Sequence, residues 1–363
     1  MVPGGVDRSG EYRVIPALLA LIRRLATRHE LHVYSLFQEP EPGEWGLAGA
    51  RIHNIGPRRT FLRGVRAILA EHGRAPFALV HSIWSGGCGQ IAVAAARLAR
   101  TPSAIHLTGG ELVAMPDIGY GGRRKILGRT REYVLMRAAS AITATSHPMV
   151  AALHSLGVRA TRLPLGVDLD LWPPRAPAPR DTDQPARLLH VGTLNDVKDQ
   201  PTLLQALTAL KASGRCFHVD VVGDDVLGGR IQALARELGL DADCTFHGFL
   251  TQAQLRGVVE RAHLLVMSSR HEAGPYVLLE AAVAGVPAVG TAVGHLAEWA
   301  PEAALAVPVG NAPALAAAIE RALADENLRL TLARQAQRRA IAEDARHTAE
   351  LFEQQYLRLG ARP

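Results

Sequence analysis

Residues 264–287 constrain the fold of this chain more than any other stretch. They read Leu-Leu-Val-Met-Ser-Ser-Arg-His-Glu-Ala-Gly-Pro-Tyr-Val-Leu-Leu-Glu-Ala-Ala-Val-Ala-Gly-Val-Pro. The apolar run 264–267 is short enough for a buried strand and stops at a polar cluster. Gly274 and Pro275 make a turn, and 276–284 reads as a helix, because proline is tolerated in a first turn whose N–H has no partner. Glu272 then lies in a strand-to-helix loop with Glu280 on the helix behind it. Ligands of open α/β sheets collect outside the carboxyl ends of the strands, beside helix N-termini. Two carboxylates in such a place suit sugar and ribose hydroxyls, which donate strongly to an ionised acceptor.

The same strand-then-helix unit recurs along the chain. Strands are expected at 31–36, 51–55, 78–82, 104–107 and 141–144, then at 187–191 and 219–223, with helical segments between. Such alternation predicts parallel sheets of α/β class. A chain of 363 residues, 48% apolar and 20% charged, is too long for one ordinary core and is read as two Rossmann-like domains. The stiff Pro-rich segment 173–185 serves as the linker. The expected division is 1–172, an N-terminal domain; 186–345, a C-terminal one; and 346–363, a helix whose Leu351, Phe352, Tyr356 and Leu359 pack back on the first. Residues 1–10 form a glycine-rich loop with no strand ahead of it, so the first strand of the N-terminal domain is expected to be missing. A helix is expected over 11–28, with Asp7 or Ser9 as its cap.

Composition narrows the class further. Cys88, Cys216 and Cys244 are odd in number and lack Cys-x-x-Cys spacing, which argues against a disulfide framework or a zinc site and for three free thiols in a reducing compartment. No apolar run approaches a spanning helix, so a cytoplasmic location is expected. The formal charge of +6 permits anionic partners. With only 4 Trp, 6 Tyr and 7 Phe, and no basic segment interleaved with stacking aromatics, nucleic acid is not expected. Arg123, Arg124, Lys125, Arg129 and Arg131 crowd a glycine-containing segment. This is a candidate peripheral contact with anionic membrane, although a solvated helix face is the simpler reading. Asp168-Leu-Asp170 spells the Asp-x-Asp of metal-dependent transferases, but so short a pattern recurs by chance and here falls at the domain crossover.

Glu272, seven intervening residues, Glu280-Ala281, Gly285 and Val286-Pro287 together resemble the signature of the retaining glycosyltransferases of family four, also called glycosyl transferases group 1. Landmarks in family order extend the resemblance over nearly the whole chain. They are the Gly4-Gly5 loop, Leu163-Pro-Leu-Gly-Val-Asp168, Gly192-Thr-Leu with Lys198, the loop at Gly223, the turn at Gly248, and Gly294 with Glu298. The resemblance implies the GT-B architecture, two Rossmann-like domains facing each other across a cleft. It also implies transfer of a sugar from a nucleotide-sugar donor to a hydroxyl acceptor. No metal-ligating cluster is visible in the sequence, so no metal or other cofactor is expected.

Carried over residue by residue, Glu272 would contact the donor sugar, Glu280 the ribose and Lys198 the diphosphate. Gly5, Gly192, Thr193, Gly223, Gly248, Arg270, Ala273, Gly274, Pro275 and Tyr276 would line the donor, and Gly4, Thr108, Gly109 and Glu111 the acceptor. Relatives carry a catalytic His where this chain has Thr108. His106, two residues earlier on the same strand face, is the candidate substitute. Relatives also carry Arg where this chain has Thr193, and a hydroxyl cannot replace a bidentate phosphate clamp. Arg270 is the candidate compensation. Two other readings stay open: a weak or inactive sugar-nucleotide-binding scaffold of this fold, and a nucleotide-sugar epimerase.

Overall fold

The computed structural model describes residues 1–360. It divides into two compact units, Met1–Asp168 joined by the chain from Glu343 onward, and Leu169–Ala342. The first unit runs α1 (Pro16–Leu25), β1 (His32–Ser35), β2 (Gly43–Leu47), β3 (Ala50–Asn54), α2 (Thr60–Arg74), β4 (Val80–Ile83), α3 (Gly86–Ala99), β5 (Ser103–Leu107), α4 (Ile126–Ala138), β6 (Ala141–Ala144), α5 (His147–Ser155) and β7 (Thr161–Arg162). The second runs β8 (Ala186–Val191), α6 (Gln200–Ala212), β9 (Phe217–Val222), α7 (Arg230–Glu237), β10 (Cys244–Gly248), α8 (Gln252–Val259), β11 (Leu264–Met267), α9 (Tyr276–Val283), β12 (Ala288–Thr291), α10 (Gly294–Trp299), β13 (Leu305–Val307), α11 (Ala312–Ala324) and α12 (Glu326–Ala342). The chain then returns to the first unit as α13 (Ala345–Arg358).

The second unit is a six-stranded parallel sheet in the order β10-β9-β8-β11-β12-β13. Counted within the unit, that is 3-2-1-4-5-6, the Rossmann order, and its topological switch point lies between β8 and β11. Strands of such a sheet are covered on both faces and so read as unbroken apolar runs. Leu264, Leu265, Val266 and Met267 are all at most 2% exposed. Helix α9 is likewise buried from Val277 to Val283, which explains why its sequence is apolar on every side.

In the first unit the strands form two pieces, β1-β3-β2 and β4-β5-β6-β7. Residues Met1–Pro3 lie between them. Val2 N donates to Tyr34 O at 2.9 Å, Leu36 N to Val2 O at 3.0 Å, and Ile83 N to Met1 O at 3.0 Å. No strand stands ahead of α1 among the described residues, in line with the expectation, and Met1–Pro3 make only isolated contacts with the edges of β1 and β4. The expected helix over 11–28 is shortened. Gly5 and Val6 bridge to Val14, and Pro16 opens the helix at its first turn with no side-chain cap. The β2 strand was not anticipated, and its polar, half-exposed Gly-Glu-Trp-Gly-Leu sequence gives little apolar signal.

The Pro-rich segment does not behave as a free linker. Arg175 N donates to Val283 O, Arg329 Nη2 to Ala178 O at 2.7 Å, and Arg180 N to Glu326 Oε1 at 2.8 Å. It is thus tied to the second unit, which begins at Leu169. At the other end α13 packs on the first unit. Phe352 is 1% exposed, and the Tyr356 hydroxyl meets His81 Nδ1 at 2.8 Å.

Candidate functional site

The loops that follow β8 and β11, the strands flanking the switch point, carry the two opposite charges of the candidate site. Lys198 Nζ stands 2.5 Å from Glu272 Oε1, and Ser269 Oγ donates to the same oxygen at 2.6 Å. Both side chains are only partly accessible, 20% for Lys198 and 11% for Glu272. Their loops are held from below. Asn195 Oδ1 accepts from Lys198 N, Ser268 Oγ donates to Lys198 O, and Arg270 N donates to Val197 O. The loop at Thr193 is fixed by Gln200, whose Nε2 reaches Thr193 O at 3.2 Å and His190 Nε2 at 3.3 Å. Burial pushes the His190 imidazole down to about 4, so it sits there neutral, its Nδ1 on Val266 O.

Glycine backbone makes the floor. Gly223, at φ 142°, approaches Gly192 so closely that a Cβ would stand 2.1 Å from Gly192 O. Gly223 N in turn donates to Gly248 O at 2.9 Å. Three loops expected to line the donor are thus joined by main chain alone. A Cβ on Gly294 would meet Glu272 O at 3.0 Å, so α10 also abuts the acidic loop. Pro275 caps α9 with Tyr276 at its first position and Ala273 buried beneath, as the motif predicts.

Glu280 is placed differently from its expected ionised state. It is 2% exposed, and burial raises its carboxyl to about 8, opposed by a hydrogen bond from Gln252. Gln252 Oε1 accepts from Trp172 Nε1 at 2.8 Å, which orients the amide. The Oε1 oxygen of Glu280 has no partner in this structure. A buried acceptor of this kind is completed by a donor such as a hydroxyl. Sequence spacing gave no hint of Gln252, which reaches Glu280 from a neighbouring helix, nor of Ser269, hidden among ordinary loop serines.

In the first unit the loops after β4 and β5 converge. Glu111 Oε2 accepts from Gly109 N at 2.7 Å and Oε1 from Thr108 N at 3.4 Å. Burial raises the Glu111 carboxyl against the opposing pull of backbone donors, Ser85 among them. Gly109 lies against Trp84, and a Cβ there would come within 3.2 Å of the indole Nε1. Gly4 and Gly5 occupy the separate loop before α1, where Gly5 at φ 82° leaves room for Ile15. His106, the candidate substitute for the missing His, lies inside the sheet. It is 0% exposed on β5, with Nδ1 on Thr143 Oγ1 and Nε2 on Thr145 Oγ1, and its ring packs on Phe352. Burial lowers it to about 3, so it sits there neutral.

Among the described residues no group of three or more His, Cys, Asp or Glu could hold a metal ion. Asp168, half of the Asp-x-Asp pattern, instead accepts from Arg23 and Arg24 at 2.8 Å each.

The sequence matches the model of the glycosyl transferases group 1 over residues 176–339 and that of a glycosyl transferase 4-like domain over 14–166. The chain belongs to the group 1 glycosyltransferase family. It is 29% identical to the putative glycosyltransferase EpsF of Bacillus subtilis over 245 residues, 63% of this chain and 61% of that protein. It is 32% identical to the 2-deoxystreptamine glucosyltransferase of Streptomyces kanamyceticus over 138 residues, 37% of this chain and 35% of that protein. The matches thus span less than two thirds of these relatives. Among solved structures, sucrose-phosphate synthase from Thermosynechococcus elongatus superposes with a TM-score of 0.75 at 22% identity, covering 94% of this chain and 92% of that one. Anabaena HepE in complex with UDP and glucose superposes at 0.72 with 18% identity, covering 93% and 94%. At these identities the two structures establish the fold.

Proposed function

We propose that the chain is a retaining glycosyltransferase that moves a sugar from a nucleotide-sugar donor to a hydroxyl acceptor. The observation that carries this reading is the Lys198–Glu272 pair at the switch point, with the orphaned oxygen of Glu280 on the helix that follows. Similarity to transferases, and to a fold solved with UDP and glucose, supports it. Glu272 accepts hydrogen bonds from the sugar hydroxyls, and Glu280 takes the ribose. Lys198, with Arg270 and the loop amides, offsets the charge that develops on the departing diphosphate. Without donor, Lys198 and Glu272 satisfy each other. The donor therefore enters a site whose charges are already paired and positioned. The backbone around Gly109 and the Glu111 carboxylate stand on the acceptor side. Incubation with a panel of nucleotide sugars, following nucleoside diphosphate release and the anomeric configuration of the product by NMR, tests the reading. Inversion, or no release with any donor, would defeat it.

One observation favours the scaffold alternative. Thr193 leaves the β8 loop without the cation that relatives carry, and its own contribution there is a carbonyl held by Gln200. On that reading the protein binds nucleoside diphosphate but releases none from any donor.

The membrane contact also belongs here as a proposal. On α4, Ile126 and Leu127 are 80% and 81% exposed, Val134 is 60% exposed, and Arg129 and Arg131 are exposed beside them. An apolar strip rimmed by cations suits an anionic lipid surface. No helix among the described residues is long and apolar enough to cross a membrane. A cytoplasmic, peripheral site of action accords with three free cysteines.

A further inference from the structure

Two donors share one oxygen of Glu272. Lys198 Nζ stands 2.5 Å from Oε1, and Ser269 Oγ donates to the same atom at 2.6 Å. Both lengths are those of charge-assisted bonds, but the donors differ in kind. Lys198 carries its ammonium on a flexible four-carbon stem and remains 20% accessible. Ser269 is 1% exposed, turns about a single side-chain torsion, and has its main chain pinned from two directions. Thr291, buried at the end of β12, donates from Oγ1 to Ser269 O at 2.5 Å, and the next residue, Arg270, donates from N to Val197 O at 2.8 Å. The neighbouring Ser268 is also buried, but its hydroxyl proton goes to Lys198 O.

The proposed function asks Lys198 for a different bond. A diphosphate presents more negative charge than one carboxylate, so the ammonium turns toward it when donor binds. Glu272 then loses its ion pair while only 11% accessible, and a carboxylate so placed needs another donor to hold it. Ser269 is the donor that can stay, because neither its torsion nor its main chain has to change. Since Oε1 takes the bonds of both donors, Oε2 is the oxygen offered to a sugar hydroxyl.

We propose that Ser269 is a positioning residue for Glu272. It keeps the carboxylate aimed while Lys198 passes from Glu272 to the diphosphate, and Thr291 fixes Ser269 in turn. The inference rests on the reading of Glu272 and Lys198 given above and adds the order in which their bonds are exchanged.

Titration calorimetry on the full chain tests it, comparing UDP, GDP and ADP with their hexose conjugates in wild type, Ser269→Ala, Glu272→Ala and the double variant. For the pair that wild type prefers, Ser269→Ala is expected to raise the Kd of the conjugate about five- to tenfold. The Kd of the free diphosphate should stay within about twofold, because Lys198 is untouched. In turnover kcat falls about tenfold or more. Added to Glu272→Ala, the Ser269 change should cost nothing further, as for residues that act through one another. Thr291→Val leaves the Ser269 hydroxyl in place but frees its carbonyl. It should move the conjugate Kd the same way by about two- to threefold, and it carries the test if Ser269→Ala does not fold. Equal losses for conjugate and free diphosphate, or additive losses in the double variant, would overturn the role of Ser269. The underlying reading fails differently. If Glu272→Ala leaves the conjugate Kd unchanged, or no conjugate binds wild type, Glu272 does not hold the sugar and the inference falls with it.

Discussion

Replacing Glu272 by Gln keeps its volume and the hydrogen bond from Ser269 but removes the charge opposite Lys198. Under the proposed function the variant stays folded and loses about 100-fold or more in kcat, measured as nucleoside diphosphate release. Thr193→Arg makes the converse change, restoring a bidentate cation to the β8 loop. It is expected to raise kcat about tenfold, and a wild-type chain that is inactive and unmoved by the substitution would favour the scaffold. Glu280 makes a prediction about pH. Its carboxyl titrates near 4.5 when unfolded and about 8 when folded, so the folded chain holds the extra proton between those values. By linkage its effect on stability is fully favourable below 4.5 and is lost as pH rises through 8. Glu280→Gln should flatten that decline in urea melts across pH 5 to 9, and an unchanged slope would contradict the neutral buried acid. The two glutamates were legible in the sequence because their spacing and flanks are local. The state of Glu280 was not, because it depends on a helix 28 residues upstream and on Trp172 behind that.

At the scale of elements, the β8, β9 and β10 loops meet without side chains. Gly223→Ala puts a methyl into Gly192 O and is expected to destabilise the second unit by about 3 kcal/mol or more, read as a lowered urea midpoint. Helix α4 makes the opposite kind of prediction. Ile126→Ser with Leu127→Ser should leave the melt unchanged, because both side chains face solvent, and should lower co-sedimentation with anionic vesicles about tenfold. No change in sedimentation would remove the membrane contact. Strand identity was readable from the chain in β5, β8 and β11, whose residues are mostly buried. It failed for β2, whose half-exposed residues lack the apolar alternation that announces a strand. His106 shows the same limit from the other side. Thr108 lies beyond the end of β5, and periodicity cannot tell a strand face that looks onto solvent from one that looks onto Phe352.

At the scale of the molecule, the chain leaves its first unit at Asp168 and comes back at Glu343, so α13 belongs to a core laid down some 180 residues earlier. Arg162 grips Glu343 in a two-pronged ion pair, Thr348 Oγ1 donates to Pro164 O, and Phe352 lies against the rings of His81 and His106. Phe352→Ala should therefore cost the first unit about 3–5 kcal/mol, seen as a lower melting transition for that unit. The alternation of strands and helices, the acidic pair, the glycine loops and the homing of the last helix were all fixed by the order of residues, since each is a local pattern or a periodic one. Whether a polar group is ionised, which face of a strand it occupies, and how two main-chain atoms approach across loops emerged only on folding. Those properties arise from burial and from partners distant in the chain, which no local pattern encodes.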